Sequence, residues 1–273
     1  MSGRVGSLGD ALRSLTLPGT CAACGVGDDD AVCRACLAAL VGCLFRGGPQ
    51  SVVPLPEPAG LPPITAAGAY AGALAQVVPA YKDADRRDLR PLLTWLLGRA
   101  LASAAGSVIT DAASRSAGPR SDGPRSDGPR SDGPSSDAVG DGAVGDTRPP
   151  VVVPMPSARH TTRARGDDPV GDAVAQAAAE LGLPFVRALR PVGRLADQAG
   201  LDAAARTANL TRQLIVPGRA ASGLLGRRVI LADDVLTTGA TLAEGARAIR
   251  AAGAHPVAAA VIAATPRRGS IAI

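Results

Sequence analysis

Apolar positions along this chain switch between helical spacing and short continuous runs, and the switches place most of the predicted elements. Near the start, Leu8, Leu12 and Leu15 recur at i, i+4, i+7, the spacing of a short amphipathic helix. The stretch from about Ile64 to Ala105 reads as structured and helical. Within it Leu89, Leu92, Leu93, Leu96, Leu97, Ala100 and Leu101 share one helical face, with Asp85 as the expected N-cap and Asp88 at N3. Val151 to Met155 is a short apolar strand. Asp168 as N-cap and Pro169 at N1 then open a helix that points Val170, Val174, Ala178 and Leu181 inward and stops at Gly182. Phe185 to Leu189 and Val229 to Ala232 are strand candidates. A helix from about Gly239 to Ala252 follows, with Gly253 at C′, and Val257 to Ala264 is the last strand. Strands alternating with helices predict an α/β fold, a mostly parallel sheet flanked by helices on both faces.

Composition divides the chain. All five cysteines precede residue 44, and Gly118 to Asp132 is the pentapeptide GPRSD three times over, followed by GPSSD and AVGDGAVGD. Such a Gly/Pro/Ser/Asp tract offers almost no apolar area to bury, so residues 112–147 are expected to be a disordered low-complexity insertion. The expected organisation is therefore a cysteine module (1–48), the first part of the α/β domain (49–111), the insertion (112–147) and the ligand-binding part of that domain (148–273). No apolar stretch is expected to approach the about 20 residues that span a bilayer, and Met1 to Pro18 lacks a continuous apolar core of signal-peptide type. A cytoplasmic address follows, where paired cysteines favour metal over disulfides.

The net charge of +5 suits anionic ligands without choosing among them. The aromatic residues are Phe45, Tyr70, Tyr81, Trp95 and Phe185, too scattered for the base-stacking platform of a strong single-strand binder.

Cys21-x2-Cys24 and Cys33-x2-Cys36 are two knuckle-like pairs eight residues apart, joined by a turn-rich segment of glycines and aspartates. Four thiolates suit a closed tetrahedral Zn²⁺ site, structural because no coordination position stays open. The spacing is shorter than in the commonest zinc ribbons, and disulfides or buried thiols are the alternatives. Cys43 reads as a packed small residue, and His160 and His255 lack metal-ligand partners at useful spacing.

The most informative segment is Val229-Ile230-Leu231-Ala232-Asp233-Asp234-Val235-Leu236-Thr237-Thr238-Gly239-Ala240-Thr241. An apolar strand delivers two carboxylates at its C-terminal end, where open α/β sheets bind ligands. Adjacent like charges disfavour each other's ionisation unless a cation or hydroxyl donors compensate. The small, hydroxylated turn from Thr237 to Thr241 then opens a helix whose unpaired N–H groups form an anion site, and Gly239 lets the backbone come close. A ribose diol at the carboxylates and a 5-phosphate at the helix start fit this order. The bland alternative is an Asp N-cap before an ordinary helix.

This segment closely resembles the 5-phosphoribosyl 1-pyrophosphate (PRPP) signature of type I phosphoribosyltransferases. Tyr81-Lys82 ahead of Asp85-Arg86-Arg87, Val153-Pro154-Met155-Pro156 with basic residues to Arg165-Gly166, and Asp197-Gln198 with Arg206 and Asn209 look like the ComF family, as does the cysteine-rich start. The resemblance implies a type I phosphoribosyltransferase-like fold with a small N-terminal zinc-ribbon-like module. It also implies PRPP binding with Mg²⁺, a nucleobase acceptor, and in some members a link to DNA uptake, with single-stranded DNA or an uptake protein as partner.

On this resemblance Asp233 and Asp234 are the catalytic and ribose-binding residues, Val235 and Leu236 belong to the PRPP-binding segment with them, and Thr237, Thr238, Gly239, Ala240 and Thr241 hold the 5-phosphate. The loop from Pro154 to Ser157, with Pro156 and Ser157, would meet the pyrophosphate, joined by Lys82, Arg159, Arg163 and Arg165; a solvated basic surface is the alternative for the arginines. Asp197, Gln198, Arg206 and Asn209 belong either to a loop over the ligand or to a helix surface. Two departures stand out. Gly166 is followed by Asp167-Asp168-Pro169 rather than an aromatic and an amide, and Thr237 stands where purine-specific relatives carry an acidic residue.

Overall fold

The computed structural model describes residues 19–116, 148–156, 168–192 and 214–266. The Leu8–Leu15 helix and the repeat tract lie outside the described residues. After the cysteine segment come α1 (Arg34–Cys43), β1 (Gln50–Val52), β2 (Ile64–Ala69), α2 (Leu74–Lys82), a 3-10 turn (Arg87–Leu89) and α3 (Arg90–Ser116). Then follow β3 (Val151–Pro154), α4 (Pro169–Glu180), β4 (Arg190–Pro191), β5 (Leu214–Ile215), α5 (Gly218–Leu224), β6 (Arg228–Leu236), α6 (Ala240–Ala251) and β7 (His255–Ala264).

The main sheet has the order β1-β2-β7-β6-β3, and β4 pairs with β5 in a separate two-stranded ribbon. β2, β7, β6 and β3 run parallel, while β1 is antiparallel at one edge. The expected mostly parallel, helix-flanked α/β sheet is what the chain forms. Alternation along the strands feeds two cores. Val152, Ile230, Ala232, Ala260 and Ile262 meet α2, α3 and α4 on one face, while Val151, Val153, Val229, Leu231, Ala259 and Val261 meet α6 on the other. Because the central strands share one direction, their C-terminal ends gather at Ala69, Ala264, Leu236 and Pro154, and that edge carries the site.

α3 inserts Leu93, Leu96, Leu97, Ala100 and Leu101, all fully buried, against the alanine-rich β2 and β7. Large side chains on the helix fill the space that small ones on the sheet leave. The segment Arg87–Asp111 is long and apolar enough to cross a membrane, contrary to expectation, but half of its apolar window is buried in this packing. The helix also runs on to Ser116, beyond the composition break at Ala112.

Several local expectations need correction. Asp85 does not cap α3: it sits at φ 60°, and the helix is entered through the 3-10 turn, with Arg86 donating to Asp88. The start of the region read as helical is strand β2, whose Ile-Thr-Ala-Ala-Gly-Ala sequence lacks the bulky alternation that marks a strand. Phe185 to Leu189 makes only one bridge, Phe185 to Val152, before the chain leaves the sheet edge. Leu181 lies beyond the last turn of α4 and is 39% exposed. Other details match. Asp168 accepts from Gly171 N–H at 3.2 Å, and Gly182 and Gly253 follow α4 and α6 at φ 65° and 74°.

The cysteine segment is tied to the sheet through Leu44 and Phe45. Leu44 bridges Gly68 of β2, and Phe45 N–H donates to Ala67 O at 3.2 Å. A Cβ at Gly68 would lie 2.6 Å from Cys43 O and 3.1 Å from Leu44 Cα, both backbone atoms. Gly68→Ala is therefore expected to lower the melting temperature, at a cost of about 1–3 kcal/mol of overpacking. An unchanged melting curve would show that the two segments can separate freely here.

Candidate functional site

Strand β6 carries its two aspartates one step past its partner. β3 stays in register with β6 only to Pro154 opposite Ala232, where Met155 N–H donates to Ala232 O at 2.8 Å. β6 itself continues to Leu236, paired with β7 through Leu236 opposite Ala264, so the aspartates lie within the strand rather than after it. Successive strand residues turn to opposite faces. Asp234 follows Ile230 and Ala232 toward α2, and Asp233 follows Val229 and Leu231 toward α6. Because the neighbouring strand has ended, one cleft of about 700 Å³ receives both carboxylates.

The same cleft is lined by Lys82, Pro156, Val235, Thr237, Ala240 and Thr241, all anticipated from the sequence. Of the remaining anticipated residues, Leu236 is buried in the core, Gly239 is buried and Thr238 is exposed, and none of the three lines the cleft. Ser157, Arg159, Arg163, Arg165, Asp197, Gln198, Arg206 and Asn209 lie outside the described residues. Met155, from the anticipated Pro154–Ser157 loop, lines it as well, and the cleft also takes Tyr70, Val78, Pro79, Asp83, Val170, Pro191, Leu214 and Glu244, which no motif had marked. Their common signal is position: each lies at or near a strand's C-terminal end, on a helix bordering that edge, or on the β4–β5 ribbon.

The turn into α6 is shaped by Gly239. It has φ 76°, which a side chain would strain, and an added Cβ would meet Pro54 Cγ at 3.0 Å and Leu61 Cδ2 at 3.2 Å. The β1–β2 connection thus presses on the back of the turn and leaves Thr237, Ala240 and Thr241 toward the cleft. Thr238 Oγ1 accepts from Ala240 N–H at 3.4 Å, and Glu244, one turn on, accepts from Leu214 N–H and from Arg247.

Asp234 is nearly buried and both of its oxygens are engaged. Oδ1 accepts from Val235 N–H at 2.8 Å, and Oδ2 lies 2.7 Å from Lys82 Nζ. Asp233 Oδ1 accepts from Asp234 N–H at 2.9 Å. Burial, then the adjacent Asp234 charge, hold the Asp233 carboxyl well above its ordinary value, against the pull of the Asp234 N–H and of Lys82. Burial acts to lower Lys82, but Asp234 outweighs it and the ammonium is raised.

Residues 169–270 match the phosphoribosyl transferase domain family. The matched phosphoribosyl transferase segment contains α4, β6, α6 and β7, and so both aspartates and the Thr237–Thr241 turn. Lys82 and the cysteines precede it. Among curated proteins none matches. A solved structure of the allosteric regulatory enzyme of purine biosynthesis is similar at 21% identity and a TM-score of 0.29. That similarity covers 41% of this chain and only 21% of the length of the other.

Outside the phosphoribosyl transferase segment, the sulfurs of Cys21, Cys24, Cys33 and Cys36 all lie within 4.8 Å of one another. A tetrahedron with metal–sulfur bonds of about 2.3 Å needs sulfurs about 3.8 Å apart, so the cluster fits such an ion with little movement. Cys21 Sγ accepts from Ala23 N–H and Cys33 N–H. Burial works to raise its thiol, but donation from Cys24, Cys33 and Ala23 wins and lowers it to about 6. Cys36, beside the Cys24 and Cys33 sulfurs, is pushed up to about 12. Ionising all four thiols this close together would need a cation among them. Cys43 stands apart, its thiol donating to Ala39 O and Ala71 O.

The raised Asp233 carboxyl gives a stability test. A group that holds its proton more tightly when folded makes stability fall as pH rises from about 3.9, its unfolded value, to the raised folded value, and level off above. Asp233→Asn should therefore gain melting temperature over the natural protein across that window, the gap widening with pH. A gap that stays constant with pH contradicts the raised carboxyl.

Proposed function

We propose that the cleft binds PRPP together with Mg²⁺, and that the protein transfers the phosphoribosyl group to a nucleobase with release of pyrophosphate. One observation carries this reading: the two aspartates and the first turn of α6, all within the segment that matches the phosphoribosyl transferase family, line one cleft. In this reading Asp233 and Asp234 accept from the ribose hydroxyls, and the exposed Thr237, Ala240 and Thr241 offer hydroxyl and amide donors to the 5-phosphate. Pro156 marks the side from which the pyrophosphate is met, with Ser157, Arg159, Arg163 and Arg165 following it in sequence. The C1–oxygen bond to pyrophosphate breaks as a ring nitrogen of the base bonds to C1 and gives up its proton to the departing pyrophosphate or to water, through an oxocarbenium-like transition state that needs no covalent nucleophile. Bound Mg²⁺ would neutralise the leaving pyrophosphate, and hard carboxylate oxygens suit that ion.

Titration calorimetry with PRPP and Mg²⁺ tests the site. Asp234→Ala removes an acceptor and leaves Lys82 without its carboxylate, so a loss of about 2 kcal/mol or more, about thirtyfold in Kd, is expected while the circular dichroism spectrum persists. Unchanged affinity in that variant would falsify the assignment.

Thr237 supports a second reading. It occupies the cleft where purine-specific relatives place an acidic residue, and Glu244, a further carboxylate lining the cleft, is held by Arg247 and Leu214 N–H. The chain would then be a PRPP-responsive accessory protein of DNA uptake, of the ComF type, contacting DNA or a protein partner from its cysteine module. Pyrophosphate release with a panel of nucleobases separates the two: tight PRPP binding without turnover on any base removes the transferase. Salt-dependent DNA retention lost on deleting residues 1–48 supports the accessory role. A cytoplasmic site and the division into 1–48, 49–111, 112–147 and 148–273 belong to the same proposal.

The four-cysteine cluster is proposed as structural zinc. Metal analysis should find about one zinc per chain, and Cys24→Ser should lose it and lower the melting temperature. Full stability without bound metal would leave the cysteines as packed thiols.

A further inference from the structure

The Lys82–Asp234 pair means that the carboxylate most enclosed in the site already has a cation. Lys82 ends α2, and Asp234 lies within β6, far away in sequence. Their 2.7 Å contact is made across the cleft's own lining. The Lys82 side chain is 33% exposed and that of Asp234 8%, so the ammonium stands on the solvent side of the pair and the carboxylate behind it in the cleft wall. Asp234 Oδ1 is meanwhile turned back onto Val235 N–H, which leaves Oδ2, the oxygen Lys82 holds, as the acceptor that faces an incoming group.

We propose that Lys82 is the resident counter-ion of Asp234, which an incoming divalent cation or ribose hydroxyl must displace, and that ligand phosphates draw it away. This deepens the PRPP reading and rests on it for the nature of the phosphates. The physical basis is local. Two neighbouring carboxylates near the end of a buried strand need positive charge, and the chain supplies it from α2. A lone divalent ion must evict an ammonium that keeps a buried carboxylate neutralised, so its apparent affinity is reduced. A ligand bringing both its cation and a pyrophosphate offers Lys82 a new partner as Asp234 is released. Lys82 thereby makes occupancy of the aspartates depend on a polyphosphate ligand.

The test uses the full zinc-loaded chain and Mn²⁺ as the probe, followed by electron paramagnetic resonance without any phosphate. The natural protein should bind Mn²⁺ weakly at this site. Lys82→Met should tighten it by about tenfold, while Lys82→Arg, which keeps the charge, should stay weak. In parallel, PRPP with saturating Mg²⁺ should bind Lys82→Met more weakly than the natural protein. Circular dichroism and melting curves check that both variants fold. Should Lys82→Met misfold, the Lys82→Gln variant, which keeps a hydrogen-bond donor without the charge, replaces it with the same expected tightening. Mn²⁺ affinity that is unchanged or lower in the neutral variant overturns the counter-ion role, as does tightening in Lys82→Arg equal to that in Lys82→Met. Failure of the natural protein to bind PRPP at any Mg²⁺ level removes the PRPP reading instead, and the Mn²⁺ result still decides the role of Lys82.

Discussion

Two adjacent carboxylates near the end of a buried parallel strand are the constraint around which this fold is arranged. Burying one such charge without compensation costs more than most single interactions can return. The chain meets that cost in three places at once. β3 stops at Pro154, so Asp233 and Asp234 emerge into a cleft rather than between paired strands. The backbone turns its own N–H groups, of Asp234 and Val235, onto the carboxylate oxygens. Helix α2 ends on Lys82, whose ammonium reaches Asp234.

That dependence runs outward to the cysteine module. α2 is held at both ends by groups from it or next to it: the Cys43 thiol donates to Ala71 O just ahead of the helix, and Arg86 Nη2 donates to Ala31 O just after. Cys21, Val32 and Leu40 share a continuous apolar cluster with Leu74, Val77, Val78 and Tyr81 of α2. Tyr81 in turn donates its buried hydroxyl to Pro169 O, at the first turn of α4. The helix that supplies the counter-ion is thus clamped between the cysteine segment and the segment that matches the phosphoribosyl transferase family. A four-cysteine cluster too small to have its own core gains one by sharing that of the α/β domain.

Legibility in the sequence followed the range over which each signal acts. The Asp168–Pro169 helix start and the glycines after α4 and α6 are local signals, and each sits where its residues point; the Asp233–Thr241 segment leads into a helix as expected, although β6 runs on through both aspartates to Leu236. The four cysteines come together as their spacing implies. Strand β2 was hidden because its neighbours, not its own side chains, decide its state: Ile64-Thr-Ala-Ala-Gly-Ala is small enough for α3 to lie close, and close packing selected against the bulky residues that would have marked it. Asp85 misled for the opposite reason. An Asp three residues before another Asp has the look of a cap, but a positive φ and competing arginines at 86 and 87 took both carboxylates out of that role.

The contact between Lys82 and Asp234 could not be read from spacing at all, since it joins positions on either side of the repeat tract through the sheet order. Yet its chemistry follows from a local fact. A strand that places Asp-Asp near its end announces a need for positive charge. The residue that answers must sit on a helix covering the face to which the second aspartate turns. By strand alternation that face is the one carrying Ile230 and Ala232, and α2 is the helix on it that ends beside the cleft. Its terminal lysine is favoured twice, by the carboxylate and by the negative end of its own helix dipole. A sequence that specifies a charge requirement in one element and its neutralising partner in another fixes the placement of α2 over β6 more tightly than apolar packing alone. Shifting the helix by one turn, about 5.4 Å, would break the ion pair while leaving much of the leucine and valine packing replaceable.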